Sequence, residues 1–546
     1  MRVSTAVLLF GCLLSVGFGC AKNDGTGGTG GSGATGGSSA TGGSSSGGST
    51  GNTGGSTGTG GNGTGTGGSV STGGATGTGG RATGGSTGTG GRATGGSTGT
   101  GGTSATGGST GTGGSSATGG STGTGGTTSC TITPTASIST KIATVGIVTF
   151  TTSASSPTEA HISFGLDTTY GMTAPVTLSN ASYRTLLLGM KPSKTYHYQI
   201  SVTNSSGTCT SSDQTIATGA QMNGLPTFTI TTPNKAALYG GFLVTGTYTQ
   251  SGGAPAYILD ADGTYVWWYN DGSDACGPRM SYDGQYMWIA SANVPDATAG
   301  DHTHRVTMDG LTDTDFTTAF AHHSHQVTPL PDGSVAFYAT GSNGCDDIKV
   351  FPANGTPTTA ATTVVNARTA HGGTGPCHVN NIEYSPTDDA LIFSDLDNSC
   401  LTKVDRKTGA TIWVINGGSP SGVTSTFTGD LYKGGEHGFH VISVNDILLF
   451  NNNSGGSGGS QALELMLDPV AKTSKKLFSY QPSPAINVGV LGDVQRLPNG
   501  NTIVDFGTGT KIQEVDKSGT LLQQISGTVN FGFMEKRATL YGPSTK

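Results

Sequence analysis

The strongest constraint on this chain is a unit of about 50 residues that recurs from about residue 225 onward. Each unit begins as a strand, a tight turn and a second strand. The turns centre on Gly284, Gly333, Pro386, Asn445 and Gly500, at separations of 49, 53, 59 and 55 residues. A second hairpin recurs at 258–268, 404–413 and 515–522. Repeats of this length with four strands each are typical of a β-propeller.

The number of units predicts the architecture. Five first hairpins are visible, and strands at 226–247 and 530–542 can jointly complete one more unit. We therefore predict an all-β chain in which residues 225–546 form a six-bladed propeller. The chain has no long charged amphipathic stretches, which argues against a helical bundle.

Histidines recur at one position of the repeat. The residues eight places before the five turns are Cys276, His325, His378, His437 and Gly492. Eight residues back along an innermost strand reaches the mouth of a central channel, so the three histidines are expected to converge there. We expect further histidines in the loops near that mouth, at His302, His304, His322, His323, His371 and His440.

Three converging imidazoles permit more than one chemistry. Neutral histidines can hold zinc or another transition metal. A histidine can also act as a nucleophile or a general acid–base, because its usual pKa is near neutrality. A single histidine in a β-protein is more often a packing or surface residue, but recurrence at one repeat position favours a functional role.

A smaller β domain is predicted at 128–220, where short alternating strands are separated by turn residues. Cys130 and Cys209 bracket it, and we predict a disulfide between them because an even number of cysteines in an exported chain indicates disulfides. The stretch 188–198 resembles the tyrosine corner of fibronectin type III domains, which implies a structural role for Tyr196 or Tyr198. The pairing of Cys276, Cys345, Cys377 and Cys400 stays open.

Residues 21–127 are predicted to be a disordered linker. The tract from Gly25 to Gly126 holds 47 of the 96 glycines and consists almost only of Gly, Thr, Ser and Ala. Such a segment has no apolar side chains whose burial could offset its ordering entropy.

The chain opens with a pattern typical of a secretory signal at 1–20: Arg2, an apolar run from Val7 to Val16, and Cys20. The cysteine after this run resembles a bacterial lipoprotein cleavage site, so we expect lipid attachment at Cys20. No apolar stretch of 18 or more follows, so we expect membrane contact only through the lipid. The expected location is the outer membrane or cell surface, or otherwise the periplasm or the medium.

The charge pattern excludes nucleic acid as a partner. Charged residues make up 11% of the chain, the net charge is −7, and no basic run occurs.

Four segments of the repeat region resemble the bacterial arylsulfotransferases, which are exported six-bladed propeller enzymes. They are 322–333, 378–386, 436–452 and 537–541, and the similarity extends over roughly 225–546. This resemblance implies transfer of a sulfuryl group from an aryl sulfate to a phenolic acceptor, without a nucleotide or other cofactor and without a metal. By position, His437 is similar to the nucleophile that becomes sulfohistidine. His325 and His378 are similar to residues that bind the sulfuryl oxygens or move the phenol proton, and Asn380 matches an asparagine near the second histidine.

One position departs from the family pattern. The family has an arginine in the strand after the second histidine, and this chain has Leu396 there. Sulfuryl transfer spreads negative charge over oxygens, which a fixed cation stabilises. We expect Arg279 to substitute as a substrate-binding cation, because it follows Cys276 by three residues at the start of an innermost strand. The alternative to an enzyme is a catalytically silent propeller that binds ligands or partners at the same mouth.

Overall fold

The computed structural model describes residues 130–546 apart from 250–252, 271, 273–274, 292–301, 342, 418–422, 454–457 and 545. The expected signal at 1–20, Cys20 and the linker at 21–127 lie outside the described residues. Nearly all regular secondary structure in the described part is β-strand, which confirms the all-β class. It contains one α-helix, α1 (Ala367–His371), and three short 3-10 turns at Ala181–Tyr183, Lys235–Ala237 and Gly507–Gly509. Across these residues, no helix has the length and apolar character needed to cross a membrane.

The first eight strands form two antiparallel sheets. They are β1 (Ile132–Ile138), β2 (Gly146–Thr152), β3 (Glu159–Gly165), β4 (Met172–Pro175), β5 (Thr185–Leu187), β6 (Thr195–Asn204), β7 (Gly207–Thr210) and β8 (Gln214–Ala217). Strands β1, β2 and β5 form one sheet, and β3, β4, β6, β7 and β8 form the other. Alternate residues of β6, including Tyr196 and Ile200, are buried in the shared apolar core, as expected for strands with one solvated face.

The predicted disulfide between Cys130 and Cys209 is present and connects the start of the described chain to β7. Of the two candidate corner tyrosines, Tyr196 makes the bond to the preceding backbone: its hydroxyl accepts the Lys191 N–H at 2.8 Å.

The remaining strands follow in chain order. They are β9 (Phe228–Thr231), β10 (Phe242–Tyr248), β11 (Ala256–Asp260), β12 (Tyr265–Tyr269), β13 (Gly277–Met280), β14 (Tyr286–Ser291), β15 (His302–Thr307), β16 (Asp313–Asp315), β17 (Thr328–Pro329), β18 (Val335–Thr340), β19 (Asp346–Phe351), β20 (Thr362–Asn366), β21 (Val379–Ser385), β22 (Ala390–Asp395), β23 (Cys400–Asp405), β24 (Thr411–Asn416), β25 (Thr428–Gly429), β26 (Glu436–Ser443), β27 (Asp446–Asn451), β28 (Gln461–Asp468), β29 (Thr473–Tyr480), β30 (Asp493–Arg496), β31 (Thr502–Asp505), β32 (Lys511–Val515), β33 (Leu521–Gly527), β34 (Asn530–Phe531) and β35 (Glu535–Arg537).

Within the described residues these strands form six sheets, named A to F here. Sheet A contains β10, β11, β12, β34 and β35; B contains β13–β16; C contains β17–β20; D contains β21–β24; E contains β25–β29; and F contains β30–β33 with β9. The five turns identified from the sequence each connect the first two long strands of sheets B to F, so the repeat assignment is confirmed.

Strands from both ends of the repeat region complete sheets A and F. Strand β35 pairs with β10, with Arg537 opposite Phe242, as expected for the two terminal segments. Strand β9 differs from that expectation, because it pairs with β33 in sheet F, with Ile230 opposite Ile525.

Polar contacts join the first strands of neighbouring sheets, meaning β13, β17, β21, β26, β30 and β35. Thr328 Oγ1 donates to Ile382 O at 2.5 Å, Asn380 Nδ2 to Glu436 O at 2.7 Å, Gly438 N to Gly492 O at 2.9 Å, Gln495 Nε2 to Lys536 O at 2.9 Å, and Phe533 N to Cys276 O at 2.8 Å. Sheets B and C approach so closely that a Cβ at Gly277 would lie 2.4 Å from Gln326 Cβ. The first strands of the six sheets are therefore in direct contact.

The β1–β8 domain packs on sheets A and B through specific bonds. The Tyr541 hydroxyl accepts the Leu188 N–H at 2.7 Å and donates to Leu186 O at 3.0 Å. Arg184 forms an ion pair with Asp309 beside it. The sequence does not predict these contacts.

Removal of the Cys130–Cys209 disulfide tests its contribution to the small domain. The bond closes a loop spanning 79 residues, so the double Cys130→Ser/Cys209→Ser variant should lose about 2–5 kcal/mol of unfolding free energy, because its unfolded chain regains that entropy. Urea denaturation followed by circular dichroism measures this loss. Non-reducing peptide mapping that finds Cys130 bonded to any cysteine other than Cys209 would contradict the assignment.

Candidate functional site

The structure brings the three predicted histidines together at the amino-terminal ends of the first strands. His325 lies three residues before β17, His378 immediately before β21, and His437 is the second residue of β26. All three are almost fully buried. The ring centroids of His325 and His378 are 5.6 Å apart. His378 is also close enough to His437 to help lower the pKa of His437.

His437 is held neutral and in one orientation. Burial, the largest cause, lowers its pKa to about 3, so the ring carries no charge at neutral pH. Its Nδ1 lies 2.7 Å from Asn452 Oδ1. The amide of Asn452 is oriented in turn, because its Nδ2 donates to Val488 O at 2.9 Å and to Leu491 O at 3.0 Å.

These bonds fix the tautomer of His437. Because Asn452 Nδ2 donates to two carbonyl oxygens, the atom that faces His437 is the amide oxygen Oδ1, which can only accept a hydrogen bond. His437 Nδ1 must therefore carry the proton. The other ring nitrogen, Nε2, therefore has a free lone pair. A neutral imidazole with this tautomer is a competent nucleophile. Asn452 was not singled out from the sequence, although it ends the segment 436–452.

His378 is anchored by its backbone. Its N–H donates to Asp395 Oδ1 at 3.1 Å, and its carbonyl accepts the Leu396 N–H at 2.8 Å. The preceding residue, Cys377, forms a disulfide with Cys345. Among the described residues, the buried His378 Nε2 has no hydrogen-bond partner, so it is available to a substrate.

His325 is oriented by its backbone and by its neighbour Ser324. Its φ is +57°, a left-handed conformation that costs a non-glycine residue about 1–2 kcal/mol. Its Nδ1 is 2.5 Å from the Ser324 hydroxyl.

Asn380 lies in the same buried region but contacts the protein rather than an open space. Its Nδ2 donates to the Glu436 carbonyl, which joins β21 to β26 next to His437. Its Oδ1 has no hydrogen-bond partner in the part of the chain described. One polar atom of Asn380 thus stays available for a ligand.

Arg279 does not occupy the expected position. Its Nη2 donates to Glu383 Oε1 at 2.6 Å, and both side chains are buried. It lines a cavity with His440 and Lys546 towards the carboxyl-terminal ends of the first strands. Three residues along an extended strand span about 10 Å, which moves Arg279 away from the level of Cys276. The geometry does not support the expected binding of sulfuryl oxygens by Arg279.

The predicted position of His440 is wrong for the same reason. It was expected near the three histidines, but it follows His437 by three residues on β26 and lines the cavity with Arg279. Leu396, in contrast, is next to the site: it is half-buried and bonded through its backbone to His378.

A separate cluster has donor atoms spaced for a metal. The ligand atoms of Cys345, His371 and Cys377 lie within 4.8 Å of one another, and all three residues are buried. Because the two sulfurs form a disulfide, neither is a thiolate in this state. His371 Nε2 lies 3.0 Å from Asp395 Oδ2, so this cluster supports the loop that carries His378.

The tautomer of His437 can be measured by NMR of the histidine ring nitrogens. We expect Nδ1 to be protonated and Nε2 unprotonated from about pH 5 to about pH 9, because burial keeps the pKa below this range. In Asn452→Leu, which lacks the acceptor, Nδ1–H should no longer be the dominant form. A wild-type spectrum with protonated Nε2 would contradict the assignment.

Comparison with known proteins supports one family over part of the chain. No curated protein matches this chain. Solved structures that this chain matches include TolB from Acinetobacter baumannii (13% identity, 64% of this chain and 81% of that one, TM-score 0.37) and a β-propeller domain from Myceliophteria thermophila (12%, 57% and 90%, 0.36). A model of the arylsulfotransferase (ASST) family matches residues 353–527. This segment contains His378, Asn380 and His437, and its match supports the arylsulfotransferase family.

Proposed function

We propose that this protein transfers a sulfuryl group from an aryl sulfate to a phenol, with His437 as the nucleophile. The single observation that carries the proposal is the fixed, neutral tautomer of His437. Its ring proton is on Nδ1, so the lone pair of Nε2 is not protonated. The family match over 353–527 supports a transferase of this class.

The proposed reaction has two steps. In the first, Nε2 of His437 attacks the sulfur of the aryl sulfate, an N–S bond forms, and the S–O bond to the aryl group breaks to release a phenolate. In the second, the oxygen of another phenol attacks the same sulfur, the N–S bond breaks, and the phenol proton leaves to a base. His378 and His325 are the proposed partners for the sulfuryl oxygens and for these protons. Asn380 Oδ1 is a proposed contact for the phenolic hydroxyl, because an amide oxygen accepts hydrogen bonds.

We also propose that sheets A to F are the blades of one closed six-bladed propeller. Support comes from the contacts between the first strands of neighbouring sheets and from the pairing of β35 with β10. In a closed ring the first strands face one axis, which gives a physical reason for the meeting of histidines from three different sheets.

The domain and its location are part of the same proposal. Residues 128–220 would form a fibronectin type III-like domain, supported by the two sheets and the Tyr196 bond. Export with a lipid on Cys20 and a linker at 21–127 would hold the enzyme at a membrane surface. The two disulfides are compatible with an oxidising compartment.

The direct test is incubation with p-nitrophenyl sulfate and phenol, with nitrophenol release as the readout. We expect His437→Asn to reduce release by about 10³-fold or more, because no nucleophile remains. Its melting temperature should stay within about 4 °C of the wild type. Equal losses of stability and activity would make His437 a packing residue.

Further measurements distinguish the proposed transferase from the silent propeller and from a metal site. Mass spectrometry of the protein mixed with p-nitrophenyl sulfate alone should find one sulfuryl group on His437. A wild-type protein that binds phenols without releasing nitrophenol would be the silent propeller. Activity that is lost on chelation and restored by zinc would instead assign the three histidines to a metal.

The leucine at the family's arginine position gives a second test. Leu396 is half-buried and next to His378, so an arginine there should reach the developing negative charge. We expect Leu396→Arg to raise the rate of nitrophenol release by about 10²-fold, while Leu396→Met, of similar size and without charge, should leave it unchanged. An active wild type with no gain in Leu396→Arg would mean that other donors already stabilise the transition state.

A further inference from the structure

A cavity lies at the opposite ends of the first strands from the three histidines. Its volume is about 410 Å³, within the usual range of about 300–1,000 Å³ for small-molecule sites. We call it the distal cavity and define it by Arg279, Tyr282, Glu383, His440, Pro498 and Lys546. These residues come from four first strands or the turns after them, namely β13, β21, β26 and β30, and from Lys546.

Arg279 lines this cavity and has a hydrogen-bond donor that no described residue uses. The exposed fraction of Arg279 is 4%, and its Nη2 donates a hydrogen bond to Glu383 Oε1. Among the described residues its buried Nε has no hydrogen-bond partner. A guanidinium N–H that lacks a partner is poorly solvated and favours an anionic acceptor.

His440 offers a second donor. The Arg496 N–H donates to its Nδ1 at 3.0 Å, so the neutral ring must carry its proton on Nε2. Burial, and then the positive charges of Lys546, Arg496 and Arg279, lower the pKa of His440 to about 3, so its ring is neutral at neutral pH.

The other cations of the cavity are already engaged. Lys546 Nζ lies 2.5 Å from Asp493 Oδ1 and 3.7 Å from Glu383 Oε1. Arg496 pairs with Glu464 and donates to Thr502 Oγ1. These pairs leave the Arg279 and His440 donors for a ligand with a single negative charge.

The rest of the wall includes Thr328, Ser544 and Glu535, whose carboxylate pairs with Arg537, but much of it is apolar. Prolines from the turns after the first strands line the cavity, at Pro331, Pro386 and Pro498, and Tyr282 lies beside them. The rigid proline rings and the flat tyrosine ring can pack against an aromatic ring of a ligand.

We propose that the distal cavity binds an aromatic monoanion, with its carboxylate or sulfate group on Arg279 Nε and His440 Nε2 and its ring against Tyr282 and the prolines. This binding site is separate from the three histidines and does not rest on the proposed transfer. Aromatic carboxylates and aryl sulfates share the chemistry that the cavity recognises.

Isothermal titration calorimetry with 4-nitrobenzoate tests the site, with p-nitrophenyl sulfate, neutral 4-nitrobenzamide and inorganic sulfate as further probes. We expect one 4-nitrobenzoate per chain, and binding of the amide and of inorganic sulfate weaker by about 10-fold or more. Tighter binding of p-nitrophenyl sulfate than of 4-nitrobenzoate would identify sulfate esters as the ligand, and the reverse order carboxylates.

Arg279→Lys keeps the charge beside Glu383 but removes the Nε donor, so the affinity should fall by about 10-fold or more. Arg184→Lys is the matched control, because Arg184 pairs with Asp309 far from the cavity lining, and it should bind as the wild type does. His437→Asn should also retain binding, which separates this site from the proposed active site.

Tyr282→Ala provides a second variant if Arg279→Lys does not fold, since Tyr282 is half-buried at the cavity wall. It should weaken 4-nitrobenzoate binding by about 5-fold through loss of ring contact. Absence of binding to the wild type, equal binding of the amide, or unchanged binding in Arg279→Lys would each overturn the proposal. Loss of binding in His437→Asn alone would assign the ligand to the histidines.

Discussion

The arrangement of the repeat region depends on hydrogen bonds between strands that are far apart in sequence. Strand β35 pairs with β10, and the Thr245 hydroxyl donates to Phe533 O at 3.1 Å across 288 residues. This pairing supplies sheet A with its first strand, which then contacts β30 and β13. If residues 533–537 were absent, Cys276 O and Gln495 would lose their partners in Phe533 and Lys536. The positions of first strands in other sheets, and of the histidines before them, would lose that support.

Polar groups are concentrated along the first strands, where most folds would place apolar ones. Asn380, Gln495 and Asp493 are almost fully buried, and the described partners of their side chains include backbone atoms in or next to neighbouring first strands. Buried polar groups must be hydrogen-bonded to avoid a desolvation penalty. Such bonds are directional, so they fix the height of one strand against the next more closely than apolar packing does. The Nε2 atoms of His437 and His378 depend on that register.

The sequence predicted the repeat and the three histidines because both are periodic. Asn452 could have been found by the same reasoning. The hairpin turns at Asn445, so Asn452, seven places after the turn, is expected near His437, eight places before it. The bond itself needed the amide orientation, which depends on Val488 and Leu491 from another loop. The predicted position of Arg279 was wrong because three residues of extended chain cover about 10 Å. This length carries Arg279 from the end of the strand with the histidines towards the opposite end. The Cys345–Cys377 pair joins sheet C to the segment before β21, and contacts between sheets leave no local pattern in a sequence.

The disulfide at Cys130 has a mechanical consequence. A pulling force that arrives through the residues before 130 acts first on Cys130, which is covalently bonded to β7. The force is then divided between β1 in one sheet and β7 in the other, instead of peeling β1 from β2 one hydrogen bond at a time. From there it passes through Arg184, Leu186 and Leu188 to Asp309 and Tyr541 on the larger domain. A force from that direction therefore loads a covalent cross-link between the two sheets of β1–β8 before it reaches sheets A and B.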